Sequence, residues 1–257
     1  MDILQSIIIG IIEGITEFLP ISSTAHMVLA SKVMGIAQTD FVKSFEIVIQ
    51  FGAILSVIVL YWRRFLVDME SLKRVLAAFI PTAILGFLLY KFIKTYLIHN
   101  TTIIVWALLL GGMILILFEL FHKEKETAHE DISTIPYSKC FAIGIFQSLA
   151  MFPGVSRSAA TIIGGLLINL KRQTIVEFSF LLAVPTMLAA AVLDLSKSGS
   201  AFSADQFLVL AAGFAVSFIV ALLSIKFLLG FIKKHTFIPF GVYRIVIALV
   251  YMLVMLR

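Results

Sequence analysis

The stretch EGITEFLPISSTAH, residues 13–26, interrupts an apolar segment over residues 3–36 with two carboxylates, a proline and a run of hydroxyl groups. A proline inside a helix removes a hydrogen bond and breaks the helix, and Ser22, Ser23 and Thr24 are residue types that start a new helix as N-caps. The apolar pieces on either side are too short to cross about 30 Å of hydrocarbon. The stretch therefore predicts a broken, re-entrant helical hairpin whose backbone lines a cavity within the protein.

A second apolar segment, residues 141–170, is interrupted in the same way by MFPGVSRSAAT at residues 151–161. Laid over the first segment with a constant offset of 134, it places Gly144 on Gly10, Phe152 on Phe18, Ser156 on Ser22 and Arg157 on Ser23. The match predicts two copies of one unit. Because each copy would hold three full crossings, an odd number, we expect the second copy to lie upside-down relative to the first, as in inverted-repeat membrane proteins.

The composition excludes most soluble protein classes. The chain has 257 residues, of which 61% are hydrophobic and 14% charged, with a mean hydropathy of +1.08. Soluble domains have about 45–50% apolar and about 25% charged residues. A water-soluble enzyme, a disordered chain, a collagen and a nucleic-acid-binding protein are all excluded on these numbers. The net charge of +5 is instead expected in cytoplasmic loops, with membrane lipids as the surroundings.

The sequence predicts an all-α integral membrane protein with six transmembrane helices plus the two broken hairpins. It forms a single membrane domain over residues 1–257, with repeat 1 at about 1–121, a cytoplasmic loop at about 122–139 and repeat 2 at about 140–257. Two of the six spans contain a proline in their interior, Pro81 and Pro185, which membrane helices tolerate. The predicted spans are residues 45–61, 76–90, 101–121, 175–193, 207–225 and 237–256.

Basic residues predict the orientation. One side receives eleven Lys and Arg residues, among them Arg63, Arg64 and Lys125, and the other receives six, which are Lys32, Lys43, Lys91, Lys94, Lys197 and Arg257. Cytoplasmic loops carry the excess of basic residues. The first side is therefore predicted to be cytoplasmic, and both termini to face outward.

Ionisable side chains inside the first broken segment indicate a functional site. A carboxylate in an apolar segment costs about 2.5–3.5 kcal/mol on insertion scales, so it normally faces a cavity. Glu13 and Glu17 are one helical turn apart and share a face. The helix that starts at residues 22–24 offers free N–H groups to an anion, and His26 lies about one turn further on. The alternatives are simple helix capping by the hydroxyls and a packing role for Glu13.

The second broken segment places a guanidinium at a helix start. Arginine has a planar fork suited to phosphate, and Ser156, Ser158 and Thr161 can donate to further phosphate oxygens. The alternative is that Arg157 merely pairs with Glu13 or Glu17. With both segments together, the site would offer acids, hydroxyls, an imidazole and a cation, the groups that phosphoryl transfer requires.

Arg244 is a further cation inside the last predicted span. It is expected either to reach the same cavity as a second phosphate clamp or to pair with Glu46 or Glu177. These two glutamates occupy similar places in the two repeats and fit a shared packing role as well as chemistry.

Residues 13–26 together with PGVSRSAAT at residues 153–161 resemble the undecaprenyl-diphosphate phosphatases of the bacitracin-resistance (BacA) type. The resemblance extends over the whole chain in length, hydrophobic layout and motif order, with Ala25 standing where glycine is common. It implies an enzyme of the bacterial inner membrane that hydrolyses undecaprenyl diphosphate to the monophosphate and phosphate, recycles the lipid carrier for cell-wall synthesis and confers bacitracin resistance. It also implies a site open to the outer side of the membrane.

The resemblance assigns roles by motif position. Glu17, Ser23, His26 and Arg157 would form the catalytic core. A supporting set would bind the substrate: Glu13, Ser22, Thr24, Ser156, Ser158 and Thr161. Arg244 is added to this set because of its place in the last span.

Several aspects of the chemistry stay open at this stage. Ser23 would attack the terminal phosphorus with Glu17 or His26 as base, and His26 is a rival nucleophile because imidazole also forms phosphoenzymes. Glu13 and Glu17 are candidates to hold a divalent cation, Mg²⁺ or Ca²⁺, and no organic cofactor is expected. A polyprenyl diphosphate is the expected substrate, and a homodimer is left open. The alternative function is an inverted-repeat secondary transporter or flippase of a phosphorylated lipid.

Overall fold

The computed structural model describes residues 1–97, 100–125, 127–195 and 203–255, and within these ranges it contains helices and no β-strand. The predicted all-α class is confirmed. Short 3₁₀ helices lie at Ile132–Thr134 and Leu149–Met151. The α-helices are α1 (Ile3–Thr16), α2 (Ser23–Val33), α3 (Asp40–Leu60), α4 (Trp62–Leu66), α5 (Met69–Tyr96), α6 (Thr101–Phe121), α7 (Tyr137–Ser148), α8 (Arg157–Leu167), α9 (Arg172–Leu195), α10 (Ala204–Phe231) and α11 (Ile238–Met255).

Five of these helices, α3, α5, α6, α9 and α10, are long and apolar enough in their described parts to cross a membrane. The sixth predicted span corresponds to α11, which has 18 residues and is therefore about 27 Å long at 1.5 Å per residue. Prolines lie inside α5 and α9, as the sequence indicates. The end of the predicted span at residue 256, and Lys197 and Arg257 of the predicted outer side, lie outside the described residues.

The predicted break in each interrupted segment is confirmed. The helices that flank the breaks, α1, α2, α7 and α8, have 14, 11, 12 and 11 residues. At 1.5 Å per residue they are about 17–21 Å long, so none of them spans a bilayer alone.

The sequence offset of 134 recurs in the backbone of the two breaks. Ser22 and Ser156 both have a φ of 74°, with ψ values of 95° and 114°. The helices that follow have equal lengths, and each ends two residues before a residue with positive φ, Gly35 at 64° and Asn169 at 70°. The local structure therefore repeats as the sequence does, while the inverted orientation of the second repeat stays a prediction.

The broken helices pack against spans of the other half of the chain. Helix α1 lies on α10 so closely that a Cβ at Gly10 would be 2.8 Å from the carbonyl oxygen of Gly213. Helix α7 lies on α5, where a Cβ at Gly144 would overlap the carbonyl oxygen of Ala78. Such close backbone approach through small residues is typical of packing in membranes. It brings the two breaks together in the interior.

Candidate active site

A cavity of about 250 Å³ lies where the two breaks meet. The turns of the broken segments and α2 form one part of its wall, and α5, α7 and α9 form another. Its lining includes most polar residues that the sequence singles out in the breaks. The polar lining residues are Glu17, Ser22, Ser23, Thr24, Gln50, Thr82, Gln147, Ser156, Arg157 and Thr186.

Ser23 and Glu17 form the closest pair of reactive groups in the cavity. The Ser23 hydroxyl donates to Glu17 Oε2 at 2.5 Å, and both residues are buried. Glu17 follows directly after α1 with helical dihedral angles, whereas Ser23 is the first residue of α2. A hydroxyl beside a carboxylate that can take its proton is the arrangement of an activated nucleophile.

Arg157 connects the second break to this pair. Its Nη2 donates to Glu17 Oε1 at 3.1 Å, and its Nη1 donates to the carbonyl oxygen of Ser179 at 2.7 Å. The guanidinium also lies 5.9 Å from the centre of the Phe18 ring. The alternative that Arg157 pairs with Glu17 is therefore observed, yet Arg157 also lines the cavity. Its buried Nε has no hydrogen-bond partner among the described residues.

Ser22 and Ser156 cap α2 and α8. The Ser22 hydroxyl accepts from the Ala25 N–H at 3.5 Å, and the Ser156 hydroxyl accepts from the Ala159 N–H at 3.2 Å. Both caps have a positive φ, a conformation that costs non-glycine residues about 1–3 kcal/mol and that persists only where the surroundings impose it. The capping interpretation of Ser22 is thus observed, and both helix starts face the cavity.

Two hydroxyls that were expected to bind phosphate have other partners. Ser158 donates to the carbonyl oxygen of Phe18 at 2.8 Å, which joins one broken segment to the other. Thr161 donates to the carbonyl oxygen of Arg157 at 2.9 Å. Both residues are fully buried and neither lines the cavity. Both hydroxyls thus have structural partners, and their part in substrate binding stays a prediction, whereas Thr24 does line the cavity.

His26 has both ring nitrogens engaged by other groups. Its Nδ1 lies 2.8 Å from the carbonyl oxygen of Ser22, and its Nε2 lies 3.0 Å from the hydroxyl of Tyr243, whose ring stacks on the imidazole. Because a carbonyl oxygen can only accept, Nδ1 is the donor and neutral Nε2 accepts from Tyr243. His26 does not belong to the cavity lining.

Glu13 is fully buried, and its carboxylate oxygens have no hydrogen-bond partner among the described residues. It interacts electrostatically with Glu17, Glu46 and Arg157. Orphaned oxygens of this kind fit a bound cation, but both oxygens of Glu17 are already engaged by Ser23 and Arg157. Over the described chain there is no group of three or more His, Cys, Asp or Glu arranged to hold a metal ion.

Arg244 has a different role from the predicted phosphate clamp. Its fully buried guanidinium donates to five backbone carbonyl oxygens of the described chain at 3.0–3.3 Å, those of Pro20, Ala107, Leu108, Gly154 and Val155. An arginine has five N–H donors, so none remains for a phosphate. A pairing of Arg244 with Glu46 or Glu177 is not observed either, because its five donors all reach carbonyls, and Glu177 pairs with Arg64 at 3.0 Å.

The contacts of Arg244 fasten both breaks to α6. Pro20 belongs to the first break, Gly154 and Val155 belong to the second, and the remaining acceptors lie on α6. Gly111 on α6 provides the space, since a Cβ there would overlap Arg244 Nη2. A charged residue in the last helix thus satisfies carbonyls that the broken helices leave without intrahelical partners.

Sequence reasoning missed Gln147, Thr82, Thr186 and Tyr243. Gln147 donates from its Nε2 to the hydroxyl oxygens of Thr82 and Thr186, each at 3.0 Å. Signals for three of them are present in the sequence. Gln147 aligns with Glu13 at the offset of 134, and each threonine directly follows the proline of its span. No sequence signal points to Tyr243.

The chain is similar to a known family over most of its length. A family profile described as bacitracin resistance protein BacA matches residues 6–250. The undecaprenyl-diphosphatase of Sulfurihydrogenibium sp. (strain YO3AOP1) is 54% identical over 253 residues, which are 98% of this chain and 99% of that protein. The undecaprenyl-diphosphatases of Aquifex aeolicus and Persephonella marina are 54% and 50% identical over 96% and 100% of both chains.

The packing of Arg244 predicts different melting temperatures for two glycine variants. Gly111→Ala places a methyl group on the guanidinium and is expected to lower the melting temperature of the purified protein in detergent by several degrees, since overpacking costs about 1–3 kcal/mol. Gly230→Ala is the control, because a Cβ there has no atom within 4 Å. Equal melting temperatures for the two variants would contradict the packing described for Arg244.

Proposed function

Because this chain belongs to the bacitracin resistance protein BacA family, we propose that it hydrolyses undecaprenyl diphosphate to undecaprenyl phosphate and inorganic phosphate. The observation that carries the proposal is the Ser23 hydroxyl on Glu17, with Arg157 on the other oxygen of the same carboxylate, inside a cavity. Relatives of half or more identical sequence carry the name undecaprenyl-diphosphatase. The reaction returns the lipid carrier to cell-wall synthesis and thereby counteracts bacitracin.

Ser23 is the nucleophile in this reaction. Its Oγ attacks the terminal phosphorus, the bond from that phosphorus to the bridging oxygen breaks, and undecaprenyl phosphate leaves. Glu17 accepts the serine proton, for which the 2.5 Å contact is already in place. Water then attacks the phosphoserine, the bond between phosphorus and Oγ breaks, and the proton returns from Glu17 to Ser23. The proton that the water loses goes to a phosphate oxygen. The products are inorganic phosphate and the original enzyme.

Arg157 stabilises the charge that develops on the transferred phosphoryl group. Guanidinium donors aimed at developing charge are the main catalytic device in phosphoryl transfer. The free N–H groups at the start of α2 and α8 contribute a second source of positive potential. The terminal phosphate therefore lies between Arg157 and these helix starts.

The structure favours Ser23 over His26 as the nucleophile. Both nitrogens of His26 are engaged, by Ser22 and Tyr243, and the imidazole is outside the cavity lining. Its contact with the carbonyl of Ser22 supports the strained start of α2. His26 is therefore a positioning residue that holds the turn on which Ser23 sits.

A transporter or flippase of a phosphorylated lipid is the disfavoured alternative. Such a carrier must release its cargo unchanged, and it has no use for a serine hydroxyl placed on a carboxylate. The relatives are also named for hydrolysis. The lipid substrate places the reaction at a membrane, and the chain is a multi-pass membrane protein.

The protein resides in the bacterial inner membrane with the cavity open to the outer side. The excess of basic residues on the side of Arg63, Arg64 and Lys125 supports this orientation.

Around the site, the described residues offer one free carboxylate for a divalent cation, Glu13, which lies beside the cavity lining rather than in it, so a cation would be held there by Glu13 with further ligands from the substrate or water. The buried, unpartnered oxygens of Glu13 next to Glu17 support this role. A bound Mg²⁺ or Ca²⁺ would neutralise charge on the diphosphate.

The nucleophile assignment predicts the activity of single variants. Purified protein in detergent should release phosphate from undecaprenyl diphosphate, and Ser23→Ala and Arg157→Ala should each reduce kcat by about 10³-fold or more. His26→Ala should cost less than Ser23→Ala. The control is Ser138→Ala, at an exposed serine. Phosphate release that survives in Ser23→Ala and vanishes in His26→Ala would reverse the assignment, and no release by the wild type would refute the enzyme.

The cation proposal predicts a change in metal dependence. Glu13→Gln should raise the Mg²⁺ or Ca²⁺ concentration for half-maximal activity by about tenfold or more, and calorimetry should show weaker cation binding. Glu124→Gln, at an exposed loop position, is the control. Full wild-type activity in excess EDTA would rule the cation out.

The proposed orientation predicts which of two cysteine variants is labelled in intact cells. The natural Cys140 is free and buried and is first replaced by serine. In that background, a membrane-impermeant maleimide should label Lys43→Cys in intact spheroplasts but label Lys125→Cys only after lysis, since both positions are exposed. The opposite pattern would reverse the topology.

A further inference from the structure

The Gln147 amide is fixed by two threonines on neighbouring spans. Its Nε2 lies 3.0 Å from the hydroxyl oxygens of Thr82 on α5 and Thr186 on α9. Each threonine proton is already donated elsewhere, from Thr82 to the carbonyl of Gly144 at 3.0 Å and from Thr186 to the carbonyl of Leu182 at 2.7 Å. The two hydroxyl oxygens can therefore only accept, and the NH₂ group of Gln147 must face them.

This arrangement leaves the amide carbonyl as the free end. Gln147 lines the cavity and is 99% buried, and its Oε1 has no partner among the described residues. A buried acceptor without a donor is costly, and in a native structure it indicates a group that binds there. The wall formed by α5, α7 and α9 therefore presents one unfilled acceptor to the cavity.

The missing partner must be a hydrogen-bond donor. An ionised phosphate offers only acceptors, so the carbonyl oxygen of Gln147 would repel it, and the phosphate has its donors on the other wall at Arg157. Water is the donor that the reaction itself requires, because the phosphoserine must be hydrolysed. Phosphoryl-transfer enzymes also use a glutamine to orient an attacking water.

We infer that Gln147 is a catalytic residue that binds the water hydrolysing the phosphoserine, an inference that rests on the proposed function. The water donates one hydrogen to Gln147 Oε1, and its oxygen attacks the phosphorus. The bond between phosphorus and Ser23 Oγ breaks, Glu17 returns its proton to Oγ, and the proton lost by the water goes to a phosphate oxygen. Thr82 and Thr186 are positioning residues that hold the amide.

The inference separates the two halves of the reaction. Gln147→Met keeps the length of the side chain but removes the acceptor. The substrate for the test is undecaprenyl diphosphate labelled with ³²P on its terminal phosphate. In rapid-quench experiments, Gln147→Met should release undecaprenyl phosphate in the first turnover at the wild-type rate. Steady-state phosphate release should fall about 100-fold, and ³²P should accumulate on the protein.

Matched variants distinguish the water-binding role from a structural one. Thr186→Val removes one contact that orients the amide and should give a smaller decrease in the same second step, which keeps the test usable if Gln147→Met does not fold. Gln173→Met makes the same chemical change at an exposed position of α9 and should leave both steps unchanged. Ser23→Ala should carry no ³²P.

The outcomes separate the inference from the proposed function. A wild type that releases no phosphate refutes the proposed function. A wild type that is active, with Gln147→Met equally active, refutes only the role of Gln147. The role of Gln147 would also be overturned if, in both Gln147→Met and Thr186→Val, the first-turnover rate fell as much as the steady-state rate. Gln147 would then act in folding or substrate binding.

Discussion

Hydrogen bonding of the Arg244 guanidinium to backbone carbonyls is the interaction on which the site depends. A helix that breaks inside a membrane leaves carbonyl groups that water cannot reach, and each unsatisfied buried group costs about 1–3 kcal/mol. Arg244 supplies donors to the first break at Pro20 and to the second at Gly154 and Val155, and its other donors reach α6. One side chain thereby fixes both turns relative to each other, and the cavity forms between them.

The joined turns bring opposite charges into contact in the interior. Glu17 comes from the first break and Arg157 from the second, and their 3.1 Å contact keeps each charge paired. An isolated charge in this region would be costly. Ser158 adds a direct hydrogen bond between the segments at the carbonyl of Phe18. Because Glu17 has a second oxygen, it can hold the Ser23 proton while it stays paired with Arg157. The contacts that join the two segments therefore also hold the hydroxyl that we propose as the nucleophile.

The cavity has two chemically different walls. The wall formed by the two turns carries the Arg157 guanidinium, two helix starts and the Ser23 hydroxyl, which suit a phosphoryl group. The wall of α5, α7 and α9 carries the Gln147 amide, whose donors are used internally and whose carbonyl is free. A site with donors for phosphate on one side and an acceptor for water on the other supports both phosphoryl transfer and hydrolysis.

The membrane class, the two breaks and the offset of 134 can be predicted from the sequence, because hydropathy, proline and spacing indicate them. The repeat and the family resemblance then group Glu17, Ser23, His26 and Arg157. Which donors remain available to a ligand becomes visible in the folded chain. Arg244, Ser158 and Thr161 have the chemistry of phosphate ligands, yet their hydrogen bonds are taken by carbonyls, in the case of Arg244 by carbonyls 89 to 224 residues away. Gln147 is the converse case, since its function depends on threonines from two other helices. Whether a donor is already used depends on the residues that pack around it. Those residues are distant in sequence, so the sequence pattern does not show them.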